Sequence, residues 1–228
     1  MARNIDKDRQ EAEKRRKQLI ETGFRLFSEE GIENVTLQRV ADEAGVGIAT
    51  LYKYYLNKER LVIAISKSIW REVWQRTLGA YGADGLDRLN ACDGIALYAD
   101  VIIKIYREQP RFLRFSGEYK NFIRTGKTEE KKLEEDLKEH LDELEPMRQL
   151  FHRMYERAET DHSIRTDIPE QELFTTVAIT MLSVAERYAQ GLVWADDHRE
   201  EHTQKLIYLK EMILAWCAGE NTGRKGGE

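Results

Sequence analysis

The chain has 228 residues, of which 41% are hydrophobic and 34% are charged, so it can bury a sizeable core beneath a heavily charged surface. No apolar run is long enough to span a bilayer, and residues 1–18 lack the apolar segment of a secretory signal. We therefore expect a soluble, cytoplasmic protein with no membrane partner. The net charge of −5 is unevenly distributed, because residues 1–65 hold 12 basic and 11 acidic side chains whereas the remainder holds 24 and 30. A mildly basic first segment on an acidic body permits local contact with phosphates.

Apolar residues recur at helical spacing along the whole chain, and no segment alternates as a half-buried strand would. The sequence therefore predicts an all-α fold. The predicted helices are 9–30, 37–44, 48–55, 58–78, 86–108, 111–124, 129–159, 170–194 and 199–218. Three glycines predict a loop at 79–85, Pro146 predicts a kink or break, and the polar, glycine-rich residues 219–228 predict a disordered tail.

Residues 36–55 predict two short helices joined by a tight turn, the arrangement of a helix-turn-helix. Thr36 is a suitable N-cap for the first helix, and Gly45 can take the left-handed conformation that ends this helix and redirects the chain. Val46 would fill the angle between the helices, and Leu51 would anchor the second helix to the core. This segment is the strongest candidate for a functional site.

The exposed side of the second helix would present hydroxyl groups, one cation and small or apolar side chains, with no acidic residue. Hydroxyls and a cation suit phosphate oxygens, whereas small and apolar groups can approach base edges and thymine methyl groups. The predicted DNA-facing residues of this helix and its N-cap are Gly47, Ile48, Ala49, Thr50, Tyr52, Lys53 and Tyr54. For Ile48, packing inside the turn is an equally good interpretation.

Three consecutive motifs in this region resemble the signature of the TetR family of bacterial regulators. They are 36–46 (TLQRVADEAGV), 49–55 (ATLYKYY) and 57–61 (NKERL), preceded by the first-helix residues 24–27 (FRLF) and the stop at Gly31. The resemblance covers about residues 17–65, and beyond that point it is one of helix pattern alone. It implies an N-terminal three-helix DNA-binding domain followed by a helical ligand-sensing and dimerisation domain.

The resemblance also implies roles for individual residues. Thr36 and Tyr54 would contact phosphates, and Lys58 would do so from the start of the fourth helix, where the helix N-terminus also favours an anion. Three positions depart from the family pattern: Tyr55 stands where Phe is usual, which is harmless, whereas Gly47 stands where Ser or a similar cap is frequent and Ala49 stands where Gly is frequent. The last two departures bear on how closely the helix approaches the groove.

The last two predicted helices carry more apolar surface than a single core contact needs. A single helix-turn-helix binds weakly, so such domains usually act as symmetric dimers on palindromic half-sites. The candidate residues for a homodimer interface are Phe174, Ala178, Met181, Tyr188, Ile213 and Trp216. The alternative interpretation is that both helices lie inside the core of a monomer.

The central region is rich in aromatic residues at helical spacing, which usually indicates a simple core. A regulator must respond to a signal, however, and a helical bundle lined with aromatic side chains can form a pocket for a small-molecule effector. The candidate ligand-binding residues are Trp70, Trp74, Tyr98, Phe115, Tyr119, Phe122, Phe151 and Tyr155. Nearby polar residues such as Glu118 and His152 are interpreted as solvated.

Nothing in the sequence indicates catalysis, a cofactor or a metal site. There is no nucleophile elbow, no phosphate-binding loop and no His/Glu set at metal-ligand spacing. His198 and His202 stand four residues apart, but their charged neighbours favour two exposed side chains. Cys92 and Cys217 are interpreted as ordinary buried thiols, with a redox pair as the alternative.

The sequence thus predicts a DNA-binding domain with a basic N-terminal arm at 1–62, a ligand-binding and dimerisation domain at 63–218, and a tail at 219–228. The predicted function is a ligand-responsive transcriptional regulator that binds a palindromic operator in double-stranded DNA as a dimer and is released by a small-molecule effector. The alternative is a DNA-binding regulator or architectural protein with a ligand-free core.

Overall fold

A computed structural model of the chain describes residues 5–125, 145–191 and 199–219. Every regular element in these ranges is helical, which confirms the all-α prediction. The α-helices are α1 (Ile5–Glu30), α2 (Leu37–Glu43), α3 (Ile48–Tyr55), α4 (Lys58–Arg88), α5 (Ala91–Glu108), α6 (Pro110–Thr125), α7 (Glu145–Asp161), α8 (Glu170–Ala189) and α9 (Arg199–Ala218). None of these helices is both long and apolar enough to cross a membrane.

The loop predicted at 79–85 is shorter in the structure, because residues on both sides of Gly82 are helical and the chain kinks at this residue, where φ is 64° and ψ is 170°. Glycine favours this positive φ, so Gly82 interrupts the helix, whereas Gly79 and Gly85 lie in helical turns. Pro146 lies in the first turn of α7, where proline is tolerated.

Parts of three predicted segments lie outside the described residues. They are residues 126–144, which include the start of the helix predicted at 129–159, residues 192–194 at the end of the helix predicted at 170–194, and residues 220–228 of the predicted tail.

The chain divides into two compact units, and α4 and α6 contribute residues to both. The first unit comprises Met1–Glu72 and Phe115–Glu143, and the second comprises Val73–Arg114 and Leu144–Glu228. The sequence-based boundary between residues 62 and 63 remains a prediction. The sequence did not indicate that residues from the second half of α6 belong to the same unit as the helix-turn-helix.

The first unit has one hydrophobic core, to which α1, α2, α3, the start of α4 and the second half of α6 contribute. Fully buried leucines such as Leu19, Leu26 and Leu51 lie beside Phe115 from α6 in this core. Gly23 permits a close approach of α1 to α4, since a Cβ at this position would lie 2.8 Å from Cδ1 of Ile65. The core therefore holds the helix-turn-helix on a support that is contributed by distant parts of the chain.

In the second unit, α5 is the most buried helix, and it packs against α7, α8 and α9. Asn90 begins α5 with a capping box, since its side chain accepts from the Asp93 backbone N–H and the Asp93 carboxylate accepts from the Asn90 N–H. Gly94 lets α7 approach closely, because a Cβ there would lie 2.5 Å from Sδ of Met154. The unit is a helical bundle built around α5.

Candidate nucleic-acid interface

The turn between α2 and α3 has the geometry that the sequence predicts. Thr36 caps α2, because its Oγ1 accepts a hydrogen bond from the backbone N–H of Arg39 at 3.2 Å. Gly45 has a φ of +64°, a conformation that favours glycine, and the Val46 N–H returns to the carbonyl of Ala41 at 3.0 Å. Val46 and Leu51 are both buried, so the turn is fixed from its inner side.

The outer side of α3 remains available to a partner. Gly47, Ala49, Tyr52 and Lys53 are exposed, whereas Ile48, Thr50 and Tyr54 are half-buried. Tyr52 exposes 48% of its surface. The helix carries no acidic residue, and Lys53 lies in its last turn. The face is therefore a polar and aromatic surface without negative charge.

Gly47 is the N-cap of α3 and provides no side-chain cap for the first N–H groups of the helix. Its φ of −60° is ordinary, and among the described residues no heavy atom lies within 4 Å of a Cβ built there. The glycine is therefore required neither by the backbone nor by its neighbours. Its absence of a side chain leaves the start of α3 open to close approach by a ligand.

Tyr54 lies beneath a basic residue from α1. The guanidinium carbon of Arg16 lies 5.0 Å from the centroid of the Tyr54 ring, a cation–π contact, and the rings of Tyr54 and Tyr55 meet edge-to-face at 6.4 Å. Burial is the main cause of a raised pKa at Tyr55. The C-terminal end of α3 thus carries a cation from another helix, which the sequence motif alone does not reveal.

Lys58 is directed toward the protein. Its Nζ donates to the backbone carbonyl of Glu33 at 3.2 Å and lies 5.8 and 5.6 Å from the ring centroids of Phe27 and Phe122. Burial lowers the pKa of this ammonium group, while Glu33 and Glu59 oppose the shift. A phosphate contact by Lys58 stays a prediction, and it would require Nζ to leave the Glu33 carbonyl or to share its protons.

Ion pairs on the outside of the unit join α1 to α2. Arg39 Nη1 lies 2.5 Å from Oε2 of Glu30, its Nε lies 3.0 Å from Oε1 of Glu43, and Arg25 also pairs with Glu43. The hydrogen bonds from Arg25 and then Arg39 lower the pKa of the Glu43 carboxyl. The four side chains are exposed, so each pair contributes little by itself, but together they fix the orientation of α2.

Glu118 of α6 is not simply solvated, which corrects the sequence-based interpretation. Its Oε2 accepts a hydrogen bond at 2.8 Å from the backbone N–H of Ile32, directly after Gly31, which has a φ of +90°. The carboxylate therefore satisfies a backbone donor in the turn that leaves α1. Phe115 of the same helix meets Phe24 edge-to-face at 5.7 Å. This half of α6 supports the DNA-binding region.

A small cavity lies in the second unit among α4, α5, α7 and α8. Its volume is about 20 Å³, which is room for a single water molecule. The lining residues are Trp74, Gly94, Ile95, Leu97, Tyr98, Leu150, Phe151, Met154, Phe174, Val177 and Ala178. The Tyr98 hydroxyl donates to the Ala178 carbonyl at 3.1 Å, and burial raises its pKa. The surface of the cavity is therefore almost wholly apolar.

The structure brings together three of the eight predicted ligand-binding residues. Trp74, Tyr98 and Phe151 line the cavity, and the rings of Trp74 and Tyr98 are stacked at 6.0 Å. Trp70, Phe115, Tyr119 and Phe122 belong to the first unit, where the last three form part of the hydrophobic core. Tyr155 donates its hydroxyl to the carbonyl of Ile168 at 2.5 Å and does not line the cavity.

The residues predicted for a dimer interface have several different environments. Phe174 and Ala178 line the cavity, and Met181 and Ile213 are 0% and 8% exposed. Trp216 is exposed, with the Arg165 guanidinium 5.3 Å from its ring centroid. The other large exposed apolar side chains of α8 and α9 are Ile179, Tyr208 and Met212, which the sequence pattern did not single out.

His202 is buried, so its interpretation as an exposed residue is wrong, and His198 lies outside the described residues. The hydroxyl of Tyr106 lies 3.0 Å from Nδ1 of His202, and the ring of Tyr188 stacks on the imidazole at 4.4 Å. Burial is possible because the imidazole has both a hydrogen-bond partner and an aromatic neighbour. The sixth predicted interface residue, Tyr188, thus packs against α9 within its own unit.

Neither cysteine is activated as a nucleophile. Burial raises the pKa of Cys217 to about 11 and also raises that of Cys92, which disfavours the thiolate forms needed for redox chemistry. Across residues 5–125, 145–191 and 199–219, no three His, Cys, Asp or Glu side chains form a group able to hold a metal ion.

Residues 19–65 match the family model described as bacterial regulatory proteins, tetR family. An HTH-type transcriptional regulator of Staphylococcus aureus (strain USA300) is 40% identical over 53 residues, which are 23% of this chain and 29% of that protein. The matched region thus spans less than a third of the length of these curated relatives. A second such regulator, from strain NCTC 8325 / PS 47, matches to the same extent.

Solved structures are similar along most of the chain. The transcriptional regulator FadR from Bacillus subtilis, in complex with stearoyl-CoA, is 14% identical, with 89% of this chain and 97% of that chain covered and a TM-score of 0.64. The ketosteroid transcriptional regulator KstR2 of Mycobacterium tuberculosis is 14% identical, with 88% and 93% covered and a TM-score of 0.57. At these identities the likeness shows the fold alone.

Proposed function

Because the chain belongs by its N-terminal domain to the TetR family of bacterial regulatory proteins, we propose that it is a ligand-responsive repressor. It binds a palindromic DNA operator as a homodimer and is released by a small-molecule effector. The family is one of regulatory proteins, which agrees with the prediction that the chain is not an enzyme.

The observation that carries this proposal is the outer side of α3. Thr50, Tyr52 and Lys53 lie on a short helix whose opposite side is fixed by buried Leu51 and Tyr55. Such a helix fits the width of the DNA major groove, where side chains reach base edges from a rigid support. The lack of any acid on α3 removes the repulsion that phosphates would otherwise meet. Thr36 and Lys58 remain the proposed phosphate contacts at its flanks.

Dimerisation is supported by the exposed apolar side chains of α8 and α9. Ile179, Tyr208 and Met212 expose 64%, 55% and 68% of their surfaces, and Trp216 exposes 40%. We call these four residues the apolar face. A second copy of the chain would cover it with the same four residues, as a two-fold interface requires. The proposed interface therefore shifts from the sequence-based set to these side chains, with Trp216 common to both.

An effector site is supported by the cavity of the second unit. Its lining contains Trp74, Phe151 and Met154, which suit an apolar ligand, and methionine can change its conformation at little cost. The FadR structure named above holds stearoyl-CoA, so a fold of this kind can accommodate a ligand. We infer that an effector enlarges this cavity and acts through α4, which has residues in both units.

The small volume of the cavity favours a second candidate, a DNA-binding regulator whose core holds no ligand. A cavity of about 20 Å³ has no room for a metabolite unless the side chains around it move. The two candidates differ in one measurable property. A ligand-responsive repressor loses DNA affinity when an effector binds, whereas the second candidate does not.

Selection from a pool of random-sequence duplexes tests DNA binding. The proposal predicts enrichment of a palindrome whose half-sites lie about one helical turn apart, bound by two protomers. The selected duplex then serves to test fatty acids, acyl-CoA thioesters and uncharged aromatic compounds for release. No enriched sequence would refute the operator, whereas a selected duplex that no apolar compound releases would favour the ligand-free candidate.

A further inference from the structure

Arg16 of α1 and Tyr54 of α3 form one exposed patch at the C-terminal end of the recognition helix. The guanidinium carbon lies 5.0 Å from the ring centroid of Tyr54. Arg16 is exposed and Tyr54 is half-buried, so the ring forms the base of the patch and the guanidinium forms its outer surface. The contact lies inside the first unit, and α1 is one uninterrupted helix from Ile5 to Glu30.

Helix geometry distinguishes Arg16 from the other basic residues of the run 14–17. Successive helical residues diverge by about 100°, so Lys14 is directed about 160° away from Arg16. Arg15 pairs with Glu11 at 3.2 Å, and Nζ of Lys17 lies 3.7 Å from Glu21. In the part of the chain that the structure describes, no carboxylate lies within ion-pair distance of Arg16. The basic run is therefore not a uniform patch, and one of its members lies beside α3.

The Arg16 guanidinium lies over the Tyr54 ring in a cation–π contact, which is an attraction between the charge and the ring and occupies no hydrogen-bond acceptor. The planar fork of N–H donors of an arginine matches two phosphate oxygens. No acid on α3 would compete for these donors. The contact with the ring also limits the rotamers of Arg16, so less entropy is lost when an anion binds.

We propose that Arg16 and Tyr54 together form a binding site for a DNA backbone phosphate, with Arg16 as the ligand-binding cation and Tyr54 as its support. The site rests on the proposed function, and it extends the contact with DNA from the helix-turn-helix to α1. It assigns Arg16 a role that the family motif, which begins at residue 19, does not include.

Salt dependence of DNA binding tests the site, because each phosphate contact releases condensed counterions. The probe is the duplex that the wild-type protein selects from a random-sequence pool, and the variants are Arg16→Ala and Lys14→Ala. Both substitutions remove one positive charge from an exposed position of the same helix, and alanine favours the helix in each case. Dissociation constants are measured at several salt concentrations, and thermal unfolding checks that each variant is folded.

We expect the slope of log K against log salt to fall by about 0.9 for each Arg16 that contacts a phosphate, hence by about 1.8 for a dimer. The dissociation constant of Arg16→Ala should rise about 100-fold at moderate salt, as for the loss of one charge-assisted hydrogen bond in each of the two protomers. Arg16→Lys, which keeps the charge but not the planar fork, should restore the slope and only part of the affinity. Lys14→Ala should leave the slope unchanged.

Two results would overturn the site while leaving the proposed function intact. One is a salt dependence of DNA binding in Arg16→Ala that equals that of the wild type. The other is an equal reduction of the slope in Arg16→Ala and Lys14→Ala, which would show that the positive charge of α1 attracts DNA without a specific phosphate contact at Arg16. If Arg16→Ala does not fold, Arg16→Gln provides the same measurement with a longer side chain. A wild-type protein that selects no duplex overturns the proposed function and this site together.

Discussion

Two exposed surfaces of the molecule, the outer side of α3 and the apolar face of α8 and α9, differ in their chemistry although both lie on helices. The α3 surface presents hydroxyls, a lysine and a half-buried isoleucine, with the cation of Arg16 beside it. The apolar face presents Ile179, Met212 and Trp216, with the Arg165 guanidinium over the Trp216 ring. Polar donors favour a hydrated, negatively charged partner, whereas apolar side chains are stabilised by leaving water.

The chemistry of each surface indicates its partner. DNA suits α3 because phosphates and base edges offer acceptors to every donor on that helix. A second copy of the chain suits α8 and α9 because a two-fold interface covers each apolar side chain with another. If the assignments are correct, a substitution on one surface should change one kind of binding first.

Met212→Lys should break the dimer. Its side chain is 68% exposed in the single chain, so the substitution is tolerated by the fold, but a buried lysine at an interface must lose its hydration. We expect the dimer dissociation constant to rise by at least about 100-fold, as for an interface hot spot. Sedimentation equilibrium measures it.

Thr160→Lys is the matched control, because it adds the same charge at an exposed position of α7, a helix that holds no residue of the apolar face. It should dimerise as the wild type does. Dimerisation of Met212→Lys with wild-type affinity would contradict the assignment of the apolar face.

Tyr52→Ala should weaken DNA binding by about 1–3 kcal/mol, the usual effect of losing a side chain that contacts base edges. Tyr52 exposes 48% of its surface, so the free energy of unfolding should change little. Tyr81→Ala is the control, since Tyr81 is 44% exposed and lies in the second unit. Fluorescence anisotropy with the selected duplex measures both. Equal losses of DNA affinity in the two variants would contradict a direct contact between α3 and DNA.

Gly45→Ala should destabilise the first unit by about 1–2 kcal/mol, whereas Gly47→Ala should not. Neither position has a described heavy atom within 4 Å of an added Cβ, and the two glycines differ in φ, +64° against −60°. The pair therefore isolates backbone strain from packing. Denaturant unfolding measures the difference, and equal stabilities would show that the turn does not depend on the left-handed residue.

His152 should add a weak pH dependence to the stability of the second unit. Its Nδ1 lies 2.7 Å from Oε2 of Glu170, and this hydrogen bond, with the nearby Glu156, raises the pKa of the imidazole. The stabilisation is therefore complete below the pKa of the unfolded chain and is lost as pH rises through the higher folded value. Because His152 is exposed, the effect should be the smallest of the four.

Unfolding of wild type and His152→Gln at about pH 6 and about pH 8.5 measures this contribution. The wild type should lose more stability than the variant as pH rises. An identical pH dependence in the two proteins would show that the ion pair between α7 and α8 contributes nothing.

The helix-turn-helix could be predicted from sequence because each of its residues is constrained by near neighbours. Gly45 follows from the turn, Thr36 from the cap and Leu51 from the spacing of one short helix, and the structure has all three in these roles. The contact of Arg16 with Tyr54 joins residues 38 positions apart on two helices. No local pattern distinguishes Arg16 from Lys14, so this part of the site required the fold.

The second unit could be predicted only as far as its helices. Met181 and Ile179 are two residues apart on α8, yet one is 0% and the other 64% exposed. The two side chains lie about 160° apart around α8, and only the positions of α5 and α9 decide which side of the helix is covered. The same reason explains why Phe122 supports Lys58 in the first unit while Phe151 lines the cavity of the second.

The most direct test of the account is the response of DNA binding to the spacing of the selected half-sites. Half-sites one helical turn apart lie on the same side of the duplex, and an insertion of about five base pairs turns one of them to the opposite side. A dimer that uses two copies of α3 should bind the selected duplex with two protomers and lose most of its affinity upon the insertion. Equal affinity for the original duplex, the inserted duplex and unrelated DNA would show that the protein does not recognise an operator as a dimer.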